Sequence, residues 1–269
     1  MKRIEEKFKQ LKNQREKALI PFIAAGDPSL SMTKAMVLEM ERQGADMIEL
    51  GVPFSDPLAD GPTIQKAYLR GLKNQTTLKD VINLIMELRK ETEIPLILMS
   101  YYNLIYKMGE SLFVQQAAQA GVDGIIVPDL PPEEGEFLQS MAEEDGIDTI
   151  HLIAPTTPDK RVQFIAQKGS GFLYYVSLMG VTGERENIAQ NLTLSLQTIK
   201  SLTPMPISVG FGISSPQHVR SVSPWVDGVI VGSAIVKLIE NNLDNPGLVD
   251  IVGKFVAGLK AATRDSTPG

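Results

Sequence analysis

The feature that most constrains the fold of this chain is a regular alternation of short apolar segments with longer amphipathic ones. Eight segments are short and rich in Ile, Leu or Val, as expected for parallel strands that are covered on both faces. We therefore predict strands at residues 18–25, 47–51, 96–100, 124–128, 149–153, 172–177, 207–210 and 228–232.

The segments between these strands have the periodicity of helices. One apolar stripe of the segment 78–91 is formed by Leu78, Val81, Ile82, Ile85 and Leu88. Ile4, Phe8 and Leu11 have the same kind of spacing and predict an N-terminal helix that covers one end of the core. Further helices are predicted at 31–43, 62–72, 110–120, 133–143, 159–167 and 192–202.

Eight strand–helix units with right-handed crossovers close most readily into a (β/α)8 TIM barrel, here with an extra N-terminal helix. A weakly repeated three-residue motif that ends in Asp precedes three of the predicted strands, at 44–46, 121–123 and 225–227, and supports a repeated unit. An open doubly wound sheet is the alternative. Because no Ser/Gly-rich linker divides the chain, we predict one domain over 1–269, with the helix within 1–16 and a flexible tail at 263–269.

Composition excludes several classes of function. The formal net charge is −6 and the basic residues are scattered, which argues against nucleic acid or a membrane as partner. The chain has no cysteine, which excludes disulfides, thiol nucleophiles and Cys-ligated zinc. The N-terminus lacks the apolar region of a signal peptide, and the apolar tract 94–106 is too short to span a bilayer. We predict a cytoplasmic protein.

Two carboxylates around the second strand are candidate catalytic groups. Glu49 lies in an apolar strand, where an acidic side chain is costly unless it is paired or neutral. Asp60 follows in a Pro-rich loop. An apolar barrel mouth would raise the pKa of Glu49 toward working pH, while a more solvated Asp60 would stay ionised. The structural alternatives are a strand-end Glu49 that reaches solvent and an Asp60 that only shapes a turn.

Glycine-rich turns after the seventh and eighth strands predict a phosphate site. The segments 210–216 and 232–234 each lead into a helix, with Ser214 or Ser215 as N-cap and Pro216 at the first helical position. Free N–H groups and the positive helix end favour an anion there, at the position where barrels usually bind phosphate. The alternative is a pair of tight turns.

Other catalytic chemistries lack their residues. No lysine falls within a predicted strand, so a Schiff-base aldolase lacks its nucleophile. His151 is interpreted as a packed strand residue and His218 as a surface-helix residue, which leaves no histidine-based metal site. Metal-free acid/base chemistry on a phosphorylated substrate remains. The segment 178–191 is typical of a mobile lid, or of an ordinary exposed connection.

Four segments resemble the tryptophan synthase alpha subunit family. They are 21–28, 48–62, 180–183 and 210–214, and the stretch from Glu49 to Pro62 is specific enough to identify the family by itself. The resemblance covers nearly the whole chain. It implies a TIM barrel that cleaves indole-3-glycerol phosphate into indole and glyceraldehyde 3-phosphate by a retro-aldol reaction.

The resemblance also implies roles for individual residues. Glu49 would be the general acid/base, and Asp60 would stabilise positive charge on the indole ring. Phosphate and substrate binding are expected at Thr182, Gly183, Gly212, Gly232, Ser233, Phe22, Ile64, Tyr174 and Phe211. The sequence departs from some members at Leu178-Met179, before Gly180, which concerns lid contacts. It also has Ile4 in place of an aromatic residue, which concerns packing.

A partner protein is implied as well. It would be a beta subunit that carries pyridoxal phosphate, receives indole through a tunnel and forms an alpha2beta2 complex, with Pro53 and Asp56 on the loop that faces it. No cofactor and no metal are expected in this chain itself. The alternatives are a stand-alone indole-3-glycerol-phosphate lyase, a catalytically silent phosphate-binding barrel that activates a partner, and a sugar-phosphate isomerase.

Overall fold

The computed structural model describes residues 2–176, 185–210 and 212–264. Within them eight parallel strands are hydrogen-bonded in chain order, and the last strand pairs with the first, so that the sheet closes into a barrel. The predicted (β/α)8 barrel is confirmed, and the open sheet is excluded. The strands are β1 (Ala18–Ala24), β2 (Ile48–Gly51), β3 (Leu96–Met99), β4 (Gly124–Ile126), β5 (Asp148–Ile153), β6 (Leu173–Val176), β7 (Ile207–Gly210) and β8 (Gly228–Val231).

Helices surround the barrel, and none that the structure describes is long and apolar enough to cross a membrane. The helices are α1 (Arg3–Gln14), α2 (Leu30–Arg42), α3 (Pro62–Lys73), α4 (Leu78–Leu88), α5 (Tyr102–Met108), α6 (Glu110–Ala120), α7 (Glu136–Glu144), α8 (Asp159–Lys168), α9 (Arg185–Leu202), α10 (Pro216–Val222), α11 (Ser233–Glu240) and α12 (Leu248–Arg264). A short 3-10 helix follows α10 at Ser223–Trp225.

Three differences from the predicted helices have local causes. Helix α9 begins at Arg185, not at 192, because its first turns are mostly polar in sequence and carry no apolar period. Helix α5 lies partly inside the apolar tract 94–106, where no polar face marks a helix. Helix α12 extends to Arg264, so residues 263 and 264 are helical instead of part of a tail, and 265–269 lie outside the described residues.

The interior of the barrel is filled by alternate residues of each strand. Phe22, Glu49 and Ile97 are paired in register across β1, β2 and β3, so their side chains point to the same side of the sheet. Helix α1 closes the N-terminal end, where Phe8 packs edge-on against Phe172 with ring centroids 5.8 Å apart. The predicted N-terminal helix and its position are confirmed.

The aspartate that recurs in the three-residue motif binds the N-terminal end of a neighbouring strand. Asp46, Asp123 and Asp227 each precede a strand. Each carboxylate accepts a hydrogen bond from a backbone N–H at the start of a neighbouring strand, from Leu19, Leu96 and Ile207 at 2.8, 2.8 and 3.0 Å. These aspartates hold the N-terminal ends of the strands. In barrels of this kind that end serves stability, whereas chemistry is placed at the opposite end.

Candidate active site

The side chain of Glu49 is held inside the barrel near its C-terminal mouth. It lies on β2 between Phe22 of β1 and Ile97 of β3, and it is only 1% exposed. Its Oε2 atom has no hydrogen-bond partner among the described residues. The interpretation of Glu49 as a strand-end carboxylate in solvent is therefore wrong.

Asp60 lies in the loop between β2 and α3, immediately before the helix cap at Gly61. Its carboxylate accepts a hydrogen bond of 2.7 Å from the Tyr101 hydroxyl. The same hydroxyl accepts a 3.0 Å bond from the backbone N–H of Ala59, and the Tyr101 ring stacks on Phe54 with centroids 5.1 Å apart. Tyr101 thus holds this loop over the mouth of the barrel.

Burial gives the two carboxyl groups different protonation states. Burial, and then the negative charge of Asp60, raise the pKa of Glu49 to about 8. Burial raises the pKa of Asp60 to about 6, against the opposing hydrogen bond from Tyr101. At neutral pH Glu49 therefore stays mostly protonated and Asp60 mostly ionised. Asp60 is nevertheless only 7% exposed, less solvated than the sequence analysis expected, because the Tyr101 side chain covers it.

The exposed part of the same loop faces away from the barrel. Asp56 is exposed, and Leu58 is 93% exposed, which is unusual for a leucine. Pro53, by contrast, is buried against α3 at Gly71, where a Cβ atom would lie 2.7 Å from the proline ring. Of the two residues that were expected to face a partner, only Asp56 lies on the surface.

The two glycine turns have the predicted helix starts. Gly212 has a φ of +76°, a conformation that favours glycine, and Ser215, not Ser214, caps α10 by accepting a bond from the His218 N–H. Gly232 precedes α11, whose first residue is Ser233. The backbone of these turns follows β7 and β8 at the same end of the barrel as Glu49.

Phe22 connects the glutamate strand with one of these turns. A Cβ atom at Gly232 would lie 3.2 Å from the ring of Phe22, and one at Gly51, at the end of β2, would lie 2.6 Å from it. Because Phe22 is also the register neighbour of Glu49, a single ring spans from the glutamate to the turn after β8. Both glycines leave room for that ring.

Two further residues expected in the pocket lie in the same apolar cluster as Phe22. They are Ile64, on the first turn of α3, and Tyr174, on β6. Burial, and then the charges of Glu49 and Asp60, raise the pKa of Tyr174 well above its ordinary value. The structure therefore brings Phe22, Ile64 and Tyr174 together in one cluster, which adjoins the carboxyl pair at Phe22 and Tyr174. Thr182, Gly183 and Phe211, and the lid residues up to 184, lie outside the described residues.

Two residues that the sequence analysis did not select also border the carboxyl pair. Tyr101 follows β3 directly, and its place at the C-terminal end of a barrel strand is the signal that could have identified it. Tyr68, on the apolar face of α3, carries no such signal, since its position in the sequence is that of an ordinary core residue. Its surroundings become apparent only in the folded barrel.

The remaining candidate groups have other surroundings. Burial lowers the pKa of His151 to about 4, so this ring is neutral at pH 7. It lines a cavity of about 500 Å³ with Asp129 and Arg161, between the loops after β4 and β5, to which Glu49 and Asp60 do not contribute. Asp27, after β1, is bound by both arms of the Arg70 guanidinium, at 2.8 and 2.9 Å, and holds α3 in place.

Fold and site together define a class: a (β/α)8 barrel protein with a proton-carrying carboxyl group and an ionised carboxylate at its C-terminal mouth. Comparison with known proteins is more specific. The family model described as tryptophan synthase alpha chain matches residues 8–263. The chain belongs to the tryptophan synthase alpha chain family.

Individual relatives agree along nearly the full length. The tryptophan synthase alpha chain of Geotalea uraniireducens is 48% identical over 264 residues, which cover 98% of each chain. That of Geobacter sp. strain M21 is 47% identical over 260 residues, or 97% of each chain. The crystal structure of the alpha subunit from Legionella pneumophila superposes with a TM-score of 0.91 at 38% identity, with 98% of both chains covered.

Replacing Glu49 by Gln should make the stability of the protein less dependent on pH. The pKa of Glu49 is raised in the folded protein, from an ordinary 4.5 to about 8, so its protonated form contributes stability that is fully present below about pH 4.5 and is lost as pH rises through about 8. Relative to the natural chain, Glu49→Gln should therefore gain unfolding free energy across this window, on the order of a few kcal/mol, and level off above it. Urea unfolding at a series of pH values measures this difference.

Glu144→Gln is the matched control for this experiment, because Glu144 is exposed on the last turn of α7. The Glu49→Gln difference from the natural chain should change over this pH range by more than the Glu144→Gln difference does. A change no larger than that of the control would mean that the pKa of Glu49 is not raised in the folded protein.

Proposed function

We propose that this chain cleaves indole-3-glycerol phosphate into indole and glyceraldehyde 3-phosphate, as the alpha subunit of tryptophan synthase in tryptophan biosynthesis. The observation that carries the proposal is the buried, protonated carboxyl group of Glu49 beside the ionised carboxylate of Asp60. Family membership gives the reaction its context, and the site supplies groups that suit it.

In the proposed mechanism Glu49 moves two protons in turn. Its carboxyl group first protonates C3 of the indole ring, which leaves a cationic ring nitrogen that the Asp60 carboxylate stabilises. The Glu49 carboxylate then takes the proton of the C3′ hydroxyl group. The C3–C3′ bond breaks as the C3′ carbonyl forms, its electron pair returns to the ring, and Glu49 ends in its protonated form. Proton transfer by a placed carboxyl group contributes typically about 10²–10⁴ in rate.

The anionic end of the substrate is assigned to the turns after β7 and β8. Gly232 and Ser233 stand at the start of α11, where N–H groups lack partners within the helix and the helix dipole favours an anion. Gly212, with a φ of +76°, lies in the turn after β7. The Phe22 ring, between Gly232 and Glu49, fits the apolar part of a substrate that extends from one to the other.

The proposal includes a beta subunit that carries pyridoxal phosphate, in an alpha2beta2 complex. Asp56 and the almost fully exposed Leu58 support a protein contact at the loop before Asp60. The Tyr101 hydroxyl is hydrogen-bonded to both Ala59 and Asp60. A partner that binds Leu58 would therefore change the position of the Asp60 carboxylate. A chain without cysteine suits the reducing cytoplasm, where we place the complex.

The central experiment is incubation of the purified chain with indole-3-glycerol phosphate while indole is measured. The natural chain and Glu144→Gln should release indole, whereas Glu49→Gln should bind the substrate but lose activity by at least about 10²–10⁴-fold. Full activity of Glu49→Gln would show that another group carries the protons. Turnover of triose phosphates in place of the indole substrate would favour the isomerase alternative.

The pH dependence of kcat/KM should be bell-shaped. The two limbs are set by the pair of carboxyl groups. The acidic limb, at about pH 6, reports the ionisation of Asp60, and the basic limb, at about pH 8, reports the loss of the Glu49 proton. Tyr101→Phe removes the hydrogen bond that lowers the pKa of Asp60, so the acidic limb should move to higher pH. Tyr102→Phe, which changes a neighbouring tyrosine outside the pair, should leave both limbs in place. An unmoved acidic limb in Tyr101→Phe would remove Tyr101 from this role.

Partner activation is tested at the exposed leucine. Added beta subunit should accelerate indole release by the natural chain, and Leu58→Asp should weaken that acceleration by roughly tenfold or more, because a charge would have to be buried in the contact. Leu194→Asp changes a leucine that is 61% exposed on α9 and serves as the control. No acceleration of the natural chain would favour the stand-alone lyase.

A further inference from the structure

Tyr68 has a buried hydroxyl group that forms no hydrogen bond with the described residues. Its side chain is fully buried on the inner face of α3, in the apolar cluster that contains Phe22 and Tyr174. The hydroxyl oxygen has no hydrogen-bond partner among the described residues. A phenylalanine would fill the same space without leaving a polar group unpaired, so packing alone does not account for a tyrosine.

The position of this hydroxyl group is given by Gly51. A Cβ atom on Gly51 would lie 2.5 Å from the Tyr68 oxygen. Residues 49 and 51 are two apart on β2 and face the same side of the sheet. The hydroxyl therefore lies at the level of the next inward-facing position after Glu49, toward the mouth of the barrel. The absence of a side chain at Gly51 makes room for it.

The charges around Tyr68 keep its proton in place. Burial, then Asp60, the Tyr101 hydroxyl and Glu49, raise the pKa of the Tyr68 phenol well above its ordinary value. The group therefore offers a hydrogen-bond donor at every pH at which the protein works. Glu49 Oε2, in the same mouth, is also without a partner among the described residues. Two unpaired buried polar atoms at one mouth are typical of a site whose partner is a ligand.

We propose that the Tyr68 hydroxyl group touches the substrate and donates a hydrogen bond to the C3′ oxygen of its glycerol chain. This inference rests on the proposed function. The ring N–H of the substrate is itself a donor, and the Asp60 carboxylate is the acceptor that suits it. The C3′ oxygen becomes negatively charged as Glu49 takes its proton, and a fixed donor that faces a developing oxyanion lowers the barrier of the reaction.

The test compares Tyr68→Phe with Tyr175→Phe. Tyr175 lies on the next position of β6 after Tyr174, but its hydroxyl is hydrogen-bonded to Ser195 Oγ at 3.0 Å. Tyr68→Phe should lower kcat/KM for indole-3-glycerol phosphate by roughly ten- to a hundredfold and raise the urea midpoint of unfolding. Tyr175→Phe should lower the urea midpoint, because it removes a hydrogen bond, and should leave kcat/KM unchanged.

A third measurement locates the contact on the substrate. Indolepropanol phosphate lacks the glycerol hydroxyl groups, so its inhibition constant should be the same for Tyr68→Phe and for the natural chain. A weaker inhibition by this analogue would move the contact to another part of the substrate and overturn the assignment. A kcat/KM within twofold of the natural chain, or a lowered midpoint, would overturn it as well.

Failure of the inference can be distinguished from failure of the proposed function. If the natural chain forms no indole, both are overturned. If it forms indole and Tyr68→Phe does so equally well, only the role of Tyr68 is lost, and the role of Glu49 is judged by Glu49→Gln alone.

Discussion

The proposed chemistry of this barrel depends on keeping one carboxyl group, that of Glu49, away from water. Glu49 lies in the sheet between an aromatic and an aliphatic neighbour, and burial there favours the neutral form over the charged one. Asp60 adds a negative charge close by and raises the pKa of Glu49 further. The outcome is a proton that is available at neutral pH, beside a carboxylate that remains charged.

Stability and chemistry are separated along the barrel axis. At the N-terminal end Asp46, Asp123 and Asp227 bind the ends of neighbouring strands, and α1 covers the interior. At the C-terminal end Glu49 and Tyr68 each leave a buried polar atom without a partner among the described residues. The hydrogen bonds at the N-terminal end support the fold that keeps the groups of the C-terminal end in place.

The loop between β2 and α3 connects the surface with the interior. Leu58 is exposed, Asp60 two residues later is buried, and Tyr101 is bound both to Asp60 and to the backbone of Ala59 between them. A displacement of the exposed part would change the surroundings of the carboxylate, because one hydroxyl group is fixed to both. In the proposed complex this short connection would link a partner on the surface to the carboxyl pair inside.

Local apolar periodicity and turn chemistry predict the eight strands, most helices, a barrel as the favoured topology, a carboxylate in an apolar strand at Glu49 and a serine-capped start of α10. The closure of the sheet, the burial of Glu49, Asp60 and Pro53, and the surroundings of Tyr101 and Tyr68 depend on tertiary packing. Tyr101 and Asp60 are 41 residues apart in the chain, and Tyr68 of α3 comes close to Gly51 of β2 only in the folded barrel. In the sequence Tyr101 is marked only by its place after β3, and Tyr68 has the position of an ordinary core residue. The neighbours of a side chain across a closed sheet are set by long-range packing, which no local pattern records.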